Sequence, residues 1–473
     1  MKVGTILTGR QIRILITFLS GVFLGALDQN ILGPALTSII RDFNISPKWG
    51  VWAVTVYTLM YAVSMPITAK IADKFGRRKV FMVGITLFAL GSLISGLSDN
   101  LYQLLIGRAI QAIGGGGILP IAVAEIGLAF PKEQRGKALG LYGATWGIAS
   151  ITAPLLGGFF VEHLSWPWLF WVNIPAVMVI LLLAFTLPEN AETSERQFKA
   201  MDIKGSMLTG AIIFCFMLGL SHIQGHLGIT GIFKPNVYLF LLAGMALLPL
   251  LIYVEKRAED PVINLKFFQN SSLTIVFLMA LLSGVVMMSI LFLPAYVEYV
   301  LDFPAGRASY MVLPLAMASV ITSPLGGAIA DRFGAPKAIF FGFTSSTIGS
   351  IILALLASSV LPISLETVIP LVMATIGLVF LGAGLGLVIG SPLNLLVIGQ
   401  VDRQEVTSGL AVMTVIRSLG NTLGPVIMGG LLATATALGH PREGFTDIFF
   451  VVTFVSLLGM ILTISLKRIQ KSA

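Results

Sequence analysis

The sequence predicts an all-α polytopic membrane protein, built as two six-helix bundles with two further helices inserted between them, fourteen membrane-spanning helices in all. Three observations predict it. The composition is too apolar for a water-facing surface, fourteen apolar runs have bilayer-crossing length, and the first six runs are echoed in the last six. Of 473 residues, 56% are hydrophobic and only 11% charged, and the mean hydropathy is +0.93. Soluble domains carry roughly a quarter charged residues. The 50 Gly, 30 Phe and 18 Met suit helices packed closely in lipid, where small residues let backbones approach.

About 20 apolar residues cross the hydrocarbon core as a helix. That length places spans one to six at 12–35, 49–70, 80–98, 102–126, 136–160 and 168–187. Spans seven and eight fall at 205–224 and 236–254, and spans nine to fourteen at 272–298, 308–330, 337–358, 368–396, 407–434 and 446–466. The chain opens with Lys2, Arg10 and Arg13 and then a long apolar stretch that lacks a small-residue cleavage site, so span one reads as a retained helix. Span seven is the weakest, since its end carries His222, Gln224 and His226.

With both termini in the cytoplasm, 23 of the 30 Lys and Arg fall in cytoplasmic segments. The other side holds only Arg41, Lys48, Lys234, Arg307 and Arg442, while Arg108 and Arg417 lie within spans. Positive residues gather on the cytoplasmic side. One miscounted span would invert every later segment, so the charge bias supports the even count independently of hydropathy. The same distribution assigns the +8 net charge to topology rather than to nucleic acid.

The segment Ala69–Val80 (AKIADKFGRRKV), after span two, reappears as Gly327–Ala338 (GAIADRFGAPKA), after span ten. Pro154–Gly158 (PLLGG) in span five is echoed by Pro425–Gly430 (PVIMGG) in span thirteen. Two echoes in the same order indicate a duplicated six-helix unit, which places a ligand site between the halves near the bilayer midplane. The expected units are residues 1–190, an insertion at 191–267 holding spans seven and eight, and residues 268–473.

These motifs resemble the major facilitator superfamily, in particular its fourteen-span drug:proton antiporters, over essentially the whole chain. The 69–80 segment resembles the family's signature loop, with Ala69 where Gly is usual. Leu105–Gln111 (LIGRAIQ) followed by Gly114–Gly117 resembles the span-four motif, and Ala153–Gly158 the span-five antiporter motif, with Ala153 for a usual Gly. Leu27–Asn30 (LDQN) matches the acidic span-one motif of the fourteen-span branch. Glu255–Asn270 resembles the stretch after its two extra helices. The resemblance implies proton-driven export of lipophilic, often cationic, compounds by alternating access, with no cofactor. A bacterial cell membrane and a working monomer are the expected setting.

An ionisable group inside a span costs several kcal/mol unless it meets water or a partner. Asp28 lies ~25 Å from the cytoplasmic end of span one, and Arg108 ~10 Å from the outer end of span four. The two therefore share a depth. Arginine keeps its charge, so the proton carrier must be Asp28; a static ion pair pinning the two spans is the plainer alternative. Gln29, Asn30 and Gln111, one turn from Arg108, are candidate substrate contacts, and Gln111 also suits an interhelical hydrogen bond. Glu298, at the outer end of span nine, is a second candidate for proton release or for attracting cations, unless it only snorkels to the interface. Arg417 reads either as a gate or coupling residue or as a link to carbonyls freed near Pro425. Glu125 reads as interfacial.

Asp73 and Gly76 sit in a very short turn before the basic Arg77 and Arg78, and Asp331 repeats the acid. The resemblance implies that Asp73 accepts bonds across the halves and steadies the outward-open state. Pro154 and the glycines around it suit close packing or a bend during rocking. Trp166, Trp168 and Trp171 suggest an aromatic belt. There is no phosphate loop, the glycines at 382, 384, 386 and 390 fail dinucleotide-binding spacing, and four scattered histidines form no metal motif. The 188–204 loop is too short to fold alone, which speaks against a membrane enzyme or sensor. A dedicated exporter of one metabolite or lipid precursor is the alternative function.

Overall fold

A computed structural model describes residues 8–45, 47–50, 52–187, 202–222, 231, 233–258, 261–302, 309–358 and 368–472. Lys2, Gln224, His226, Arg307, most of the 188–204 loop and residues 259–260 of the Glu255–Asn270 stretch lie outside them. Fourteen helices are long and apolar enough to span a membrane, and no strand occurs among the described residues. They are α1 (Gly9–Ile31), α2 (Trp52–Phe75), α3 (Arg77–Gly96), α4 (Leu101–Ala129), α5 (Arg135–His163), α6 (Trp168–Phe185), α7 (Ile203–Leu220), α8 (Pro235–Glu255), α9 (Ser271–Leu301), α10 (Leu313–Phe333), α11 (Ala335–Ala357), α12 (Ile369–Gln400), α13 (Val406–Ala437) and α14 (Pro441–Ile469). An even count leaves both termini on one side, called here the terminal side.

Helices exceed the apolar runs where polar residues continue them past the hydrocarbon. The 69–80 segment is an instance: Asp73 and Lys74 lie in the last turn of α2, and the connection to α3 is Gly76 alone. Gly76 has φ 100°, and its counterpart Gly334 between α10 and α11 has φ 90°, a region that glycine enters without the Cβ penalty. Single-residue turns of this kind hold α2 against α3 and α10 against α11.

Glycine sets the close helix approaches. A Cβ on Gly91 would strike the backbone of Gly107 and Gln111, and one on Gly114 the backbone of Gly84 and Phe88, so α3 and α4 are in near-backbone contact. Between the halves, Gly136 faces Gly327, and Gly140 faces Ser323 and Pro324, pressing α5 onto α10. The corresponding pair on the other flank is α2 with α13. α4 breaks at Gly116–Gly117 and α12 at Gly390–Ser391.

The inserted helices pair with each other, and α7 also packs on α2 and α13, one helix from each half. α8 is the least buried of the fourteen spans.

Candidate functional site

The repeat gives the site its frame. Positions on α13 follow those on α5 by 271 residues, which superposes Pro425 on Pro154 and Arg417 on Trp146. Gly143, Trp146, Gly147 and Ser150 of α5 line a cavity of about 540 Å³, and so do Thr414, Arg417, Ser418 and Asn421 of α13. These are the same four register positions, spaced three, four and seven apart on one helical face. Tyr61 on α2 and Ser319 on α10 also correspond, 258 residues apart, and both line the cavity. The remaining wall is largely apolar, with Leu119, Ile151, Leu155, Met287, Ile290, Val312, Leu313 and Ile389. Leu155 and Val312 lie toward the side opposite the termini, so the cavity runs from mid-span to that side.

The terminal side is tied shut across the halves by two matching carboxylates. Ser408 donates its backbone N–H to Asp73 at 2.8 Å and its hydroxyl at 3.0 Å. Gly136 and Lys137 donate their backbone N–H groups to Asp331 at 2.6 and 3.0 Å. Each acid thus sits at the N-terminus of the other half's cavity-lining helix, where free N–H groups and the helix dipole favour an anion. Arg77 donates to Asp73 at 2.9 Å and to Thr407 at 2.7 Å, and pairs with Glu125 at 3.7 Å. Glu125 is buried, which corrects its reading as interfacial. Arg78 instead donates to Ala184 and Phe185 carbonyls of α6, within its own half.

Asp28 and Arg108 meet. Arg108 Nη1 donates to Asp28 Oδ2 at 2.8 Å, and both residues are essentially fully buried. Gln111 and Asn173 donate to Asp28 Oδ1 at 2.8 and 3.2 Å. Gln111 also accepts from Arg108 at 2.7 Å and donates to Ser92 at 2.7 Å. The Tyr57 ring lies 3.9 Å from the guanidinium carbon, within cation–π range. Burying the two charges costs several kcal/mol each, and their attraction offsets this only with the remaining lone pairs satisfied; Gln111 and Asn173 donate to Asp28, and Ser92 accepts from both amides. Every neighbour hydrogen-bonded to the carboxylate is a donor.

The cluster is walled off from the cavity. Gln29 and Pro154 line the cavity, whereas Asp28 and Gln111 do not. Asn30 is exposed and donates to Ala26 of its own helix. Glu298 is exposed and does not line the cavity. Arg417 does, 8% exposed, with Nε and Nη2 lacking any partner among the described residues; the link to backbone carbonyls near Pro425 is not formed. Trp166 is buried and donates to Asp42 at 2.9 Å, so it is a packing residue rather than part of an aromatic belt.

Sequence reading missed Ser92, Asn173 and the Tyr57 ring. Asn173 stands in an otherwise apolar run, the signal that singled out Asp28. It also missed that Trp146 and Arg417 occupy equivalent positions in the cavity wall, which sliding the two halves by 271 residues exposes.

The sequence pattern of the Major Facilitator Superfamily matches residues 18–425. An uncharacterized MFS-type transporter of Bacillus subtilis (strain 168), YfiU, is 36% identical over 420 residues, 88% of this chain and 78% of that protein. The riboflavin transporter RibZ of Clostridioides difficile (strain 630) is 28% identical, covering 96% of this chain and 97% of its own. Multidrug resistance protein 3 of B. subtilis is 30% identical, over 72% of this chain and 66% of that protein. With its fourteen spans, its two matched halves and the cavity between them, the chain belongs to the major facilitator superfamily and is a membrane transporter, not an enzyme.

Proposed function

We propose that the chain is a proton-coupled antiporter that exports lipophilic small molecules across a bacterial cell membrane, with both termini cytoplasmic. On that orientation the cavity faces outward here, because Asp73 and Asp331 tie the cytoplasmic side. The observation that carries the coupling is the Asp28 cluster. Three donors occupy three of the roughly four lone-pair sites of the carboxylate. Protonation removes the charge that Arg108 pairs with, and so loosens Arg108 from α1. Asn173 Oδ1 is buried without a partner, so turning its amide offers the new O–H an acceptor. The rearrangement moves α1, α4 and α6 relative to one another, which makes Asp28 a switch between proton load and helix packing.

The apolar wall with Trp146 and Met287 supports loose recognition, since Met and aromatic side chains repack around different shapes. Multidrug resistance protein 3 is one relative in keeping with this, and RibZ keeps a single-substrate exporter as the competing reading. The test uses proteoliposomes with an imposed pH gradient and a dye reporting internal pH. Lipophilic compounds should collapse the gradient with the wild type and fail to do so with Asp28→Asn. Equal collapse by both would move the proton off Asp28, and a response to one metabolite alone would favour the single-substrate exporter.

A further inference from the structure

We propose that the cavity selects lipophilic compounds carrying one negative charge, held by Arg417 against the Trp146 wall. This rests on the transport reading and names its substrate class. It also replaces the expectation of cationic compounds.

Arg417 is the one formally charged side chain among the described residues that line the cavity. It is 92% buried by its 8% exposure, and Nε and Nη2 have no partner among the described residues. No acid among the described residues lines the cavity to neutralise it. Asp28 is bound to Arg108 at 2.8 Å and does not line the cavity. An uncompensated guanidinium in a membrane interior is costly and marks a ligand or ion path by default. Its free N–H pair has the fork geometry that takes a carboxylate, sulfonate or phenolate through parallel hydrogen bonds.

The rest of the cavity fits the organic part of such a molecule. Trp146 occupies the register position equivalent to Arg417, and Tyr142, Met287 and Ile290 line the space between the two helices. Asn421, which lines the same cavity, has its Oδ1 buried without a partner among the described residues, so the amide oxygen can receive a donor. A cation placed here would meet Arg417 with nothing to offset the repulsion.

Two dyes on one skeleton test this: N-phenyl-1-naphthylamine, which is neutral, and 8-anilino-1-naphthalenesulfonate, which is the same body with an anion. Equilibrium binding to the full chain in nanodiscs is read by energy transfer from tryptophan, with Trp146→Phe identifying the cavity signal. The wild type should bind the sulfonate about 10- to 100-fold tighter than the amine, the range expected for a hydrogen bond to a charged group. Arg417→Met should abolish that preference and leave the amine within about threefold. Arg417→Lys, which keeps the charge and loses the fork, should fall between and guards against a misfolded Met variant. A sulfonate preference unchanged in Arg417→Met, or tighter wild-type binding of ethidium than of the sulfonate, overturns the proposal. Because binding needs no gradient, the two readings fail separately. Anion preference without gradient-driven transport removes the antiport reading alone, and antiport without anion preference removes this one alone.

Discussion

Neutralising the two cross-half carboxylates should open the terminal side. Asp73→Asn and Asp331→Asn keep the side-chain shape and remove the charge that each helix N-terminus holds. Asp73 receives two hydrogen bonds from Ser408, and Asp331 receives one each from Gly136 and Lys137. Hydrogen bonds to a charged group contribute about 1.5–3 kcal/mol, and the helix-terminus dipole adds about 0.3–1 kcal/mol. An amide retains part of the first term, so about 2 kcal/mol per site is the working figure, or roughly a thirtyfold shift in the closed-to-open ratio. The two acids share no hydrogen-bond partner, so the effects should add. Spin labels at Lys79→Cys on α3 and Lys337→Cys on α11, with Cys215→Ser removing the native thiol, report the separation of the halves on that side. The parent should show mainly the short distance, each single variant a longer second population, and the double variant mainly the long one. An unchanged distance distribution in the double variant would refute the assignment of these acids as the closing contacts.

Four further outcomes follow from the same geometry. Gly327→Ala would drive a Cβ into the Gly136 carbonyl, so the same label pair should show the terminal side held open; a parent-like distribution would mean the helices part at no cost. Arg108→Met alone should destabilise by about 3–5 kcal/mol by stranding Asp28, whereas Asp28→Leu with Arg108→Met should be nearly neutral in thermal unfolding. Gradient-driven transport by that double variant would establish the pair as a static pin. Glu298→Gln should leave gradient-driven transport within about twofold, since this side chain is exposed and off the cavity; a tenfold loss would place it on the proton path. Finally, one-for-one exchange of a monovalent anion outward for a proton inward moves two charges, each coupled at about 2.3 kcal/mol per 100 mV. A valinomycin-set potassium potential, negative inside, should therefore accelerate it, and indifference to potential would contradict the anion assignment.

Fourteen spans were legible because hydrocarbon thickness imposes one length on every apolar run. Their ends were not, because hydropathy marks the hydrocarbon and not the helix; Asp73 was expected in a loop and lies in the last turn of α2. The Asp28–Arg108 pair was legible from two ionisable groups at equal depth in apolar runs. Its supports were not. Ser92 and Asn173 are uncharged polar residues of a kind that any span tolerates, and only packing shows that Asn173 donates to Asp28 while Ser92 accepts from Asn173 and Gln111. For Arg417 the sequence shows a charge within a span but not whether a partner meets it, and the distinction between a gate, a carbonyl link and a ligand contact turns on Nε and Nη2 having none among the described residues.

Duplication explains why the two buried arginines do different work. A copied six-helix unit would start with the same side chains at matching positions, and the terminal side still keeps that symmetry, with Asp73 of α2 accepting from α13 and Asp331 of α10 accepting from α5. In the cavity the symmetry has been broken: Trp146 stands where the other half has Arg417, and Tyr61 where it has Ser319. The N-terminal half seals its charge into a neutral pair that does not line the cavity, where, on the proposed reading, proton binding would alter helix packing without touching cargo. The C-terminal half leaves its charge at the cavity wall, where the proposed anionic cargo would supply the counterion. Were Asp28 and Arg417 in one cavity they would neutralise each other, and both proton load and substrate would be lost to a permanent ion pair. Separating them by a wall keeps each available, and couples them through the helices that both halves close upon.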